Sequence, residues 1–130
     1  MTESSAPAAG QRPKLLLVED DDAVRRSLQL LLIGSGYDVR SFASDEAALA
    51  DPISLAAQYL VADFMLADSD GLALLRTLRS RGWTGHAILV TAFPSADLAR
   101  SAKAAGYAMV MEKPLRQQAL LVALDRIREA

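Results

Sequence analysis

The sequence predicts an α/β fold, a parallel sheet with helices packed on both faces. Three observations predict it. Short apolar runs, too brief to stand as independent helices, alternate with longer stretches of helical periodicity. The alternation occurs five times, with no internal repeat and no second linker, and strict strand–helix alternation makes a parallel sheet with right-handed crossovers. Four of the five runs end in an acid or a hydroxyl, where sites in open α/β sheets form.

Each element has its own local reason. Residues 1–13 are rich in Ala, Ser, Pro and Gly without periodicity, and are expected to be a flexible tail before a domain over 14–130. KLLLVE (14–19) reads as a buried strand. In the helix that follows, Val24, Leu28, Leu31 and Leu32 recur at helical spacing, Asp21 and Asp22 suit its N-terminus, and Gly34 and Gly36 mark its stop. YDVRSF (37–42) alternates apolar and polar, as a half-exposed edge strand does. Ser44 caps a short helix that Pro52 ends. QYLVAD (58–63) is the third strand, and a helix over about 72–81 follows, closed by Gly82. HAILVT (86–91) is the fourth strand, with a helix from near Pro94 to Gly106. YAMVME (107–112) is the fifth, before a final helix from Pro114 with Leu120, Leu121, Leu124 and Ile127 as its apolar stripe. At this size the common arrangement is the flavodoxin-like (βα)5 fold, a five-stranded parallel sheet of order 2-1-3-4-5.

Composition narrows the function. The 130 residues carry 14 Lys plus Arg and 16 Asp plus Glu, a net charge of −2. Such a balance gives no support for a nucleic-acid module. The chain has no cysteine, which excludes disulfides and thiol chemistry. No apolar run approaches the ~20 residues that span a bilayer, and the first residues lack the apolar core of a signal peptide. A cytoplasmic protein, without nucleic-acid or membrane partners, is the expectation.

In the order 2-1-3-4-5 the first and third strands are neighbours, ~4.8 Å apart. Glu19, Asp20 and Asp63 then share one crevice. Two unit charges ~5 Å apart repel by roughly 3 kcal/mol at an effective dielectric near 20. Protonation, a cation or a lysine must relieve that repulsion. Lys113, after the fifth strand, supplies one positive charge, and a divalent ion supplies the rest. An all-oxygen carboxylate site suits Mg²⁺ better than zinc. Thr91 adds a hydroxyl at the end of the fourth strand. Acids, a lysine and a hydroxyl around a cation make a phosphoryl-handling site, in which a carboxylate can attack phosphorus. Asp63, alone and central, is the better nucleophile candidate, and Glu19 and Asp20 are left as metal binders.

Four strings in order resemble the receiver domain of two-component response regulators: LLVEDDDAVRRSL, YLVADFMLADSDGLALLRTLR, ILVTA and MEKPL. The resemblance covers about 14–129. It implies that Asp63 is the phosphorylated aspartate and Asp20 a direct Mg²⁺ ligand, with Glu19 assisting through water and the Met65 backbone carbonyl as a further ligand. It implies that Thr91 is the switch hydroxyl, Lys113 the phosphate-contacting lysine and Lys113–Pro114 a cis peptide. The donor would be a phosphohistidine on a sensor histidine kinase or histidine phosphotransfer protein. A downstream protein would bind the face formed by the fourth helix, fifth strand and fifth helix, and activation could bring two copies together. The resemblance also implies a signalling module that catalyses only its own phosphotransfer and dephosphorylation. The expectation is a stand-alone, single-domain type.

Some residues depart from that pattern. Ala67 stands where a proline is usual, and Val110 where the switch aromatic is usual, with Tyr107 out of register. Met65 and Phe93 flank the site where polar residues are common, and are expected to hinder the hydrolytic water and prolong the phosphorylated state.

Plainer readings compete. Asp21 and Asp22 complement a helix dipole. A lone strand-end aspartate is as often a turn residue, but its partners make that reading poor for Asp63. DSDG (68–71) fails as a calcium loop, because the spacing demands a ligand at Leu66 and a glutamate at Thr77. Asp70 is expected near a helix start, His86 to be structural or exposed, and Trp83 to pack over a helix end. Two other functions compete with this reading. One is a degenerate receiver that binds proteins without phosphorylation. The other is an enzyme, either a flavodoxin, which needs a Ser/Thr-rich loop where the acids lie, or a haloacid-type phosphatase, whose D-x-D motif Glu19-Asp20-Asp21 does not match.

Overall fold

A computed structural model describes residues 12–67 and 69–129. The five strands are β1 (Lys14–Val18), β2 (Asp38–Phe42), β3 (Tyr59–Asp63), β4 (His86–Thr91) and β5 (Met109–Glu112). They alternate with helices α1 (Asp22–Gly34), α2 (Asp45–Ala50), α3 (Gly71–Ser80), α4 (Ala96–Ala105) and α5 (Gln117–Glu129). A single 3₁₀ turn, Pro52–Ala56, follows α2. All pairings are parallel and the sheet order is β2-β1-β3-β4-β5. This is the flavodoxin-like architecture that the alternation predicts.

Strand periodicity splits the core in two. Leu16, Val18, Leu60, Ala62 and Leu89 face one side and pack with Ala48 of α2, Leu72, Leu74, Leu75 and Leu78 of α3, and Ala102 of α4. Leu15, Leu17, Val61, Ile88 and Val90 face the other and pack with Leu28 and Leu32 of α1 and Leu120, Leu124 and Ile127 of α5. The central strand β3 is buried at every position, whereas edge strand β2 exposes Arg40, a charge that discourages edge-to-edge pairing.

Four helices start on side-chain caps. Asp21 accepts from the Val24 N–H, Ser44 from Ala47, Asp70 from Ala73 and Ser95 from Leu98. The last corrects the expected start at Pro94: Ser95 caps the helix, so α4 begins at Ala96. The fifth strand is shorter than 107–112, because the Tyr107 N–H closes α4 on the Ala102 carbonyl and pairing with β4 starts when Ala108 donates to Ala87. The final helix begins at Gln117 and not at Pro114, and Leu120 donates back to the Arg116 carbonyl at its first turn. Residues 1–11, most of the expected tail, lie outside the described residues, while the Pro13 carbonyl accepts from the Asp38 N–H.

Candidate functional site

The carboxyl ends of β1 and β3 bring the acids together. Val18 pairs with Ala62, so Glu19 and Asp63 are the next residues along two adjacent strands. Carboxylate oxygens of Glu19, Asp20 and Asp63 all lie within 4.8 Å of one another. Glu19 and Asp63 are buried and Asp20 is exposed. The cluster therefore has two fixed walls and one open side.

Lys113 closes the other side. Its Nζ lies 2.9 Å from Glu19 Oε1 and 2.8 Å from Asp63 Oδ2. The main chain holds this lysine in place, since its N–H donates to the Thr91 carbonyl at 2.8 Å. The Lys113–Pro114 peptide is cis. The remaining carboxylate oxygens take backbone donors: Asp21 N–H reaches Glu19 Oε2 and Met65 N–H reaches Asp63 Oδ1. Arg25, from α1, donates to the Glu19 backbone carbonyl at 2.8 Å and so braces the acidic turn from behind. Beyond an arginine one turn into the helix, no pattern of residues signals that brace.

Electrostatics follow from this packing. Burial pushes the Glu19 carboxyl above its ordinary value, against the opposing pull of the Lys113 and Asp21 hydrogen bonds. Burial pushes the Lys113 ammonium down, but its bonds to Asp63 and Glu19 outweigh that, and the net shift is upward. The lysine thus stays charged. One ammonium facing three carboxylate residues leaves the cluster short of positive charge, and its all-oxygen donor set fits a hard divalent ion.

Two further expected groups sit at the rim. Thr91 is buried, one residue beyond Val90, which is the register partner of Asp63. Its Oγ1 accepts from the Phe93 N–H, which leaves the hydroxyl proton free to donate. Met65 forms an antiparallel bridge with Asp70, but the bonds of that bridge come from its neighbours, Gly71 to Phe64 and Leu66 to Ser69. The Met65 carbonyl is not consumed by them. Met65 and Phe93 are 61% and 76% exposed, unusual for large apolar residues. Trp83 and His86 lie at the opposite end of the sheet, Trp83 buried beneath Arg79 and His86 exposed.

The family model of the response regulator receiver domain matches residues 15–125. The chain belongs to this family. Among relatives, it is 35% identical over 108 residues to the transcriptional regulatory protein FixJ of Azorhizobium caulinodans, covering 83% of this chain and 51% of that protein. It is 32% identical over 120 residues to the transcriptional regulatory protein TdiR of Thauera aromatica, covering 92% and 53%. The receiver domain thus spans about half the length of these relatives. Among solved structures, the beryllofluoride-activated receiver domain of DrrB from Thermotoga maritima superposes with a TM-score of 0.83 at 25% identity, covering 92% of this chain and all of that one. No helix among the described residues is long and apolar enough to cross a membrane.

Proposed function

We propose that this receiver domain is a phosphorylation-switched signalling module, acting in the cytoplasm, that takes a phosphoryl group onto Asp63 from a phosphohistidine donor. The observation that carries the reading is the single ammonium of Lys113 bonded to both Glu19 and Asp63 beside an exposed third acid, Asp20. In the proposed step, a carboxylate oxygen of Asp63 forms the new bond to phosphorus. The phosphorus–nitrogen bond to the donor imidazole breaks, and its electron pair stays on the imidazole. Lys113 neutralises the phosphoryl oxygens, and Thr91 donates its free hydroxyl proton to one of them. Asp20, Asp63, the Met65 carbonyl and, through water, Glu19 would hold Mg²⁺, which when bound supplies further neutralisation of phosphoryl charge. A separate hydrolysis resets the module: water attacks phosphorus of the acyl phosphate, the bond to the Asp63 oxygen breaks, and inorganic phosphate leaves, so the module turns over no separate substrate.

The donor is a sensor histidine kinase or a histidine phosphotransfer protein. The output partner is a protein that meets the face of α4, β5 and α5, where Val122 is half exposed between the half-buried Met109 and Met111 and the cationic Arg126. Two activated copies could pair there. Beryllofluoride uptake with Mg²⁺ tests the reading. The expected result is Mg²⁺-dependent binding that Asp63→Asn abolishes. No uptake by the unaltered protein would favour the alternative, a degenerate receiver that binds partners without phosphorylation.

A further inference from the structure

Tyr107 is the third tyrosine of the chain and is buried beneath the site, with a use that the proposed chemistry does not account for. Its hydroxyl donates to the Gly71 backbone carbonyl at 2.6 Å, across 36 residues of sequence. Gly71 is the first residue of α3, and its N–H donates to the Phe64 carbonyl at 2.8 Å. Gly71 also packs directly on the phosphoacceptor strand: a Cβ there would lie 2.7 Å from the Asp63 carbonyl and 2.6 Å from Leu89 Cδ1. Only glycine fits that approach. The Tyr107 hydroxyl would itself lie 3.3 Å from such a Cβ. Phenol, glycine and Asp63 backbone are therefore stacked without slack.

The segment between Asp63 and Gly71 carries the Met65 carbonyl. One of its ends is fixed by β3. The other is fixed by Gly71, and hence by Tyr107. On its own side, Tyr107 is tied to α4, because its N–H donates to the Ala102 carbonyl at 2.9 Å. Burial pushes its phenol well above the ordinary range, so the proton needed for the hydrogen bond is present at any physiological pH.

We propose that Tyr107 is a positioning residue for the Asp63 site, its hydroxyl holding Gly71, whose N–H holds the Phe64 carbonyl next to Met65, and joining that contact to the end of α4. The inference rests on the function proposed above. It assigns a role to the tyrosine that lies out of register with the position held here by Val110. Movement of Phe64 and Met65 on phosphorylation then strains or releases the buried Tyr107–Gly71 hydrogen bond, whose donor is tied to the end of α4.

Tyr107→Phe keeps the ring and removes the one donor. By calorimetric Mg²⁺ titration, its dissociation constant is expected to rise roughly 3–10-fold, less than for loss of a direct outer-shell partner because a backbone link intervenes. With phosphoramidate as donor, the maximal phosphorylation rate at fixed Mg²⁺ should fall while donor half-saturation holds. A purely structural role would lower the unfolding temperature and leave Mg²⁺ affinity and the rate per folded molecule unchanged, which overturns the proposal. If the unaltered protein neither binds Mg²⁺ nor accepts phosphate, the function itself is refuted, a different outcome. A second measurement needs no variant at this position. In fluorotyrosine-labelled protein, with signals assigned by Tyr37→Phe and Tyr59→Phe, the Tyr107 resonance should shift on adding Mg²⁺ and beryllofluoride. The resonances of Tyr37 and Tyr59, at the amino end of the sheet, should stay. A stationary Tyr107 resonance overturns the proposal.

Discussion

At the amino ends of the strands, the Trp83 indole donates to the Ala57 carbonyl at 2.7 Å, and the Arg79 guanidinium lies 4.9 Å above its ring. The same guanidinium donates to the carbonyls of Trp83, Gly85 and Gly106 and ties α3 to the loops before β4 and β5. Gly85 is closed in so tightly that a Cβ would meet the indole at 2.2 Å. Each charge and donor here serves packing. At the carboxyl ends, three acidic residues cluster and one ammonium pairs with two of them, Glu19 and Asp63, and burial acts against the charged form of Glu19. One end of the sheet is satisfied as it stands, and the other gathers more negative than positive charge. The difference teaches that stability and function have been placed at opposite ends of the same strands, about five residues apart.

The largest effect expected from that contrast is a double dissociation. Asp63→Asn should remove beryllofluoride uptake completely while the fold persists, as circular dichroism would report. Trp83→Ala should lower stability by about 3–5 kcal/mol, the range for truncating a large buried aromatic, and leave uptake per folded molecule intact. Chemical denaturation with and without the phosphate mimic checks both. A Trp83 variant that folds but loses uptake would break the division between the two ends.

Mg²⁺ sharpens the contrast further. At a hundredfold excess over its dissociation constant, the ion should add about 2.7 kcal/mol of stability, because it binds the folded chain alone. Asp20 is exposed and caps no helix. Asp20→Asn should therefore raise metal-free stability, because it relieves repulsion with Glu19 and Asp63, and abolish most of the Mg²⁺ increment. Trp83→Ala should keep the whole increment. An Asp20 variant still fully stabilised by Mg²⁺ would remove that residue from the ligand set.

How much of this could be read from the sequence follows the same division. Glu19, Asp63 and Lys113 were legible because each sits at a strand end, and strand order alone then brings them together. The α3 start was legible from Asp70, whose cap is local. What was not legible depends on contacts distant in sequence. The Tyr107–Gly71 bond spans 36 residues, and neither partner carries a local signal of it. The Arg25 brace on the Glu19 carbonyl is a side-chain-to-backbone contact that no periodicity encodes. The starts of α4 and α5 lie two and three residues past Pro94 and Pro114, because a serine cap sets the first and the turn that delivers Lys113 precedes the second.

A smaller effect concerns the rim. Met65 and Phe93 present apolar side chains to solvent beside the acids, and we propose that they keep the hydrolytic water from the acyl phosphate. Met65→Asn should speed dephosphorylation severalfold, under about 1.4 kcal/mol of barrier. The decay of phosphorylated protein after donor removal measures it. An unchanged half-life would leave these side chains to partner binding instead.

The smallest effect appears at alkaline pH. Burial pushes Tyr107 well above the ordinary 10.0 of a phenol, and Tyr37 and Tyr59 are raised by burial as well. A raised folded value means that the unfolded chain loses its phenol protons first. The tyrosine contribution to stability is therefore whole below about pH 10, and it declines as pH climbs through the folded values, since unfolding then releases protons. Lys113, also raised, loses its contribution in the same direction. Tyr107 lies on the α3–α4 side of the sheet, and Tyr37 and Tyr59 form an edge-to-face pair on the other. Tyr107→Phe should flatten part of the decline between pH 10 and 11, followed by urea denaturation at each pH, and should leave the portion due to Tyr37, Tyr59 and Lys113. In an absorbance titration, Tyr107 should ionise only as the protein unfolds. A phenol at this position that titrates freely in the folded protein would mean that the Gly71 carbonyl has let go of it.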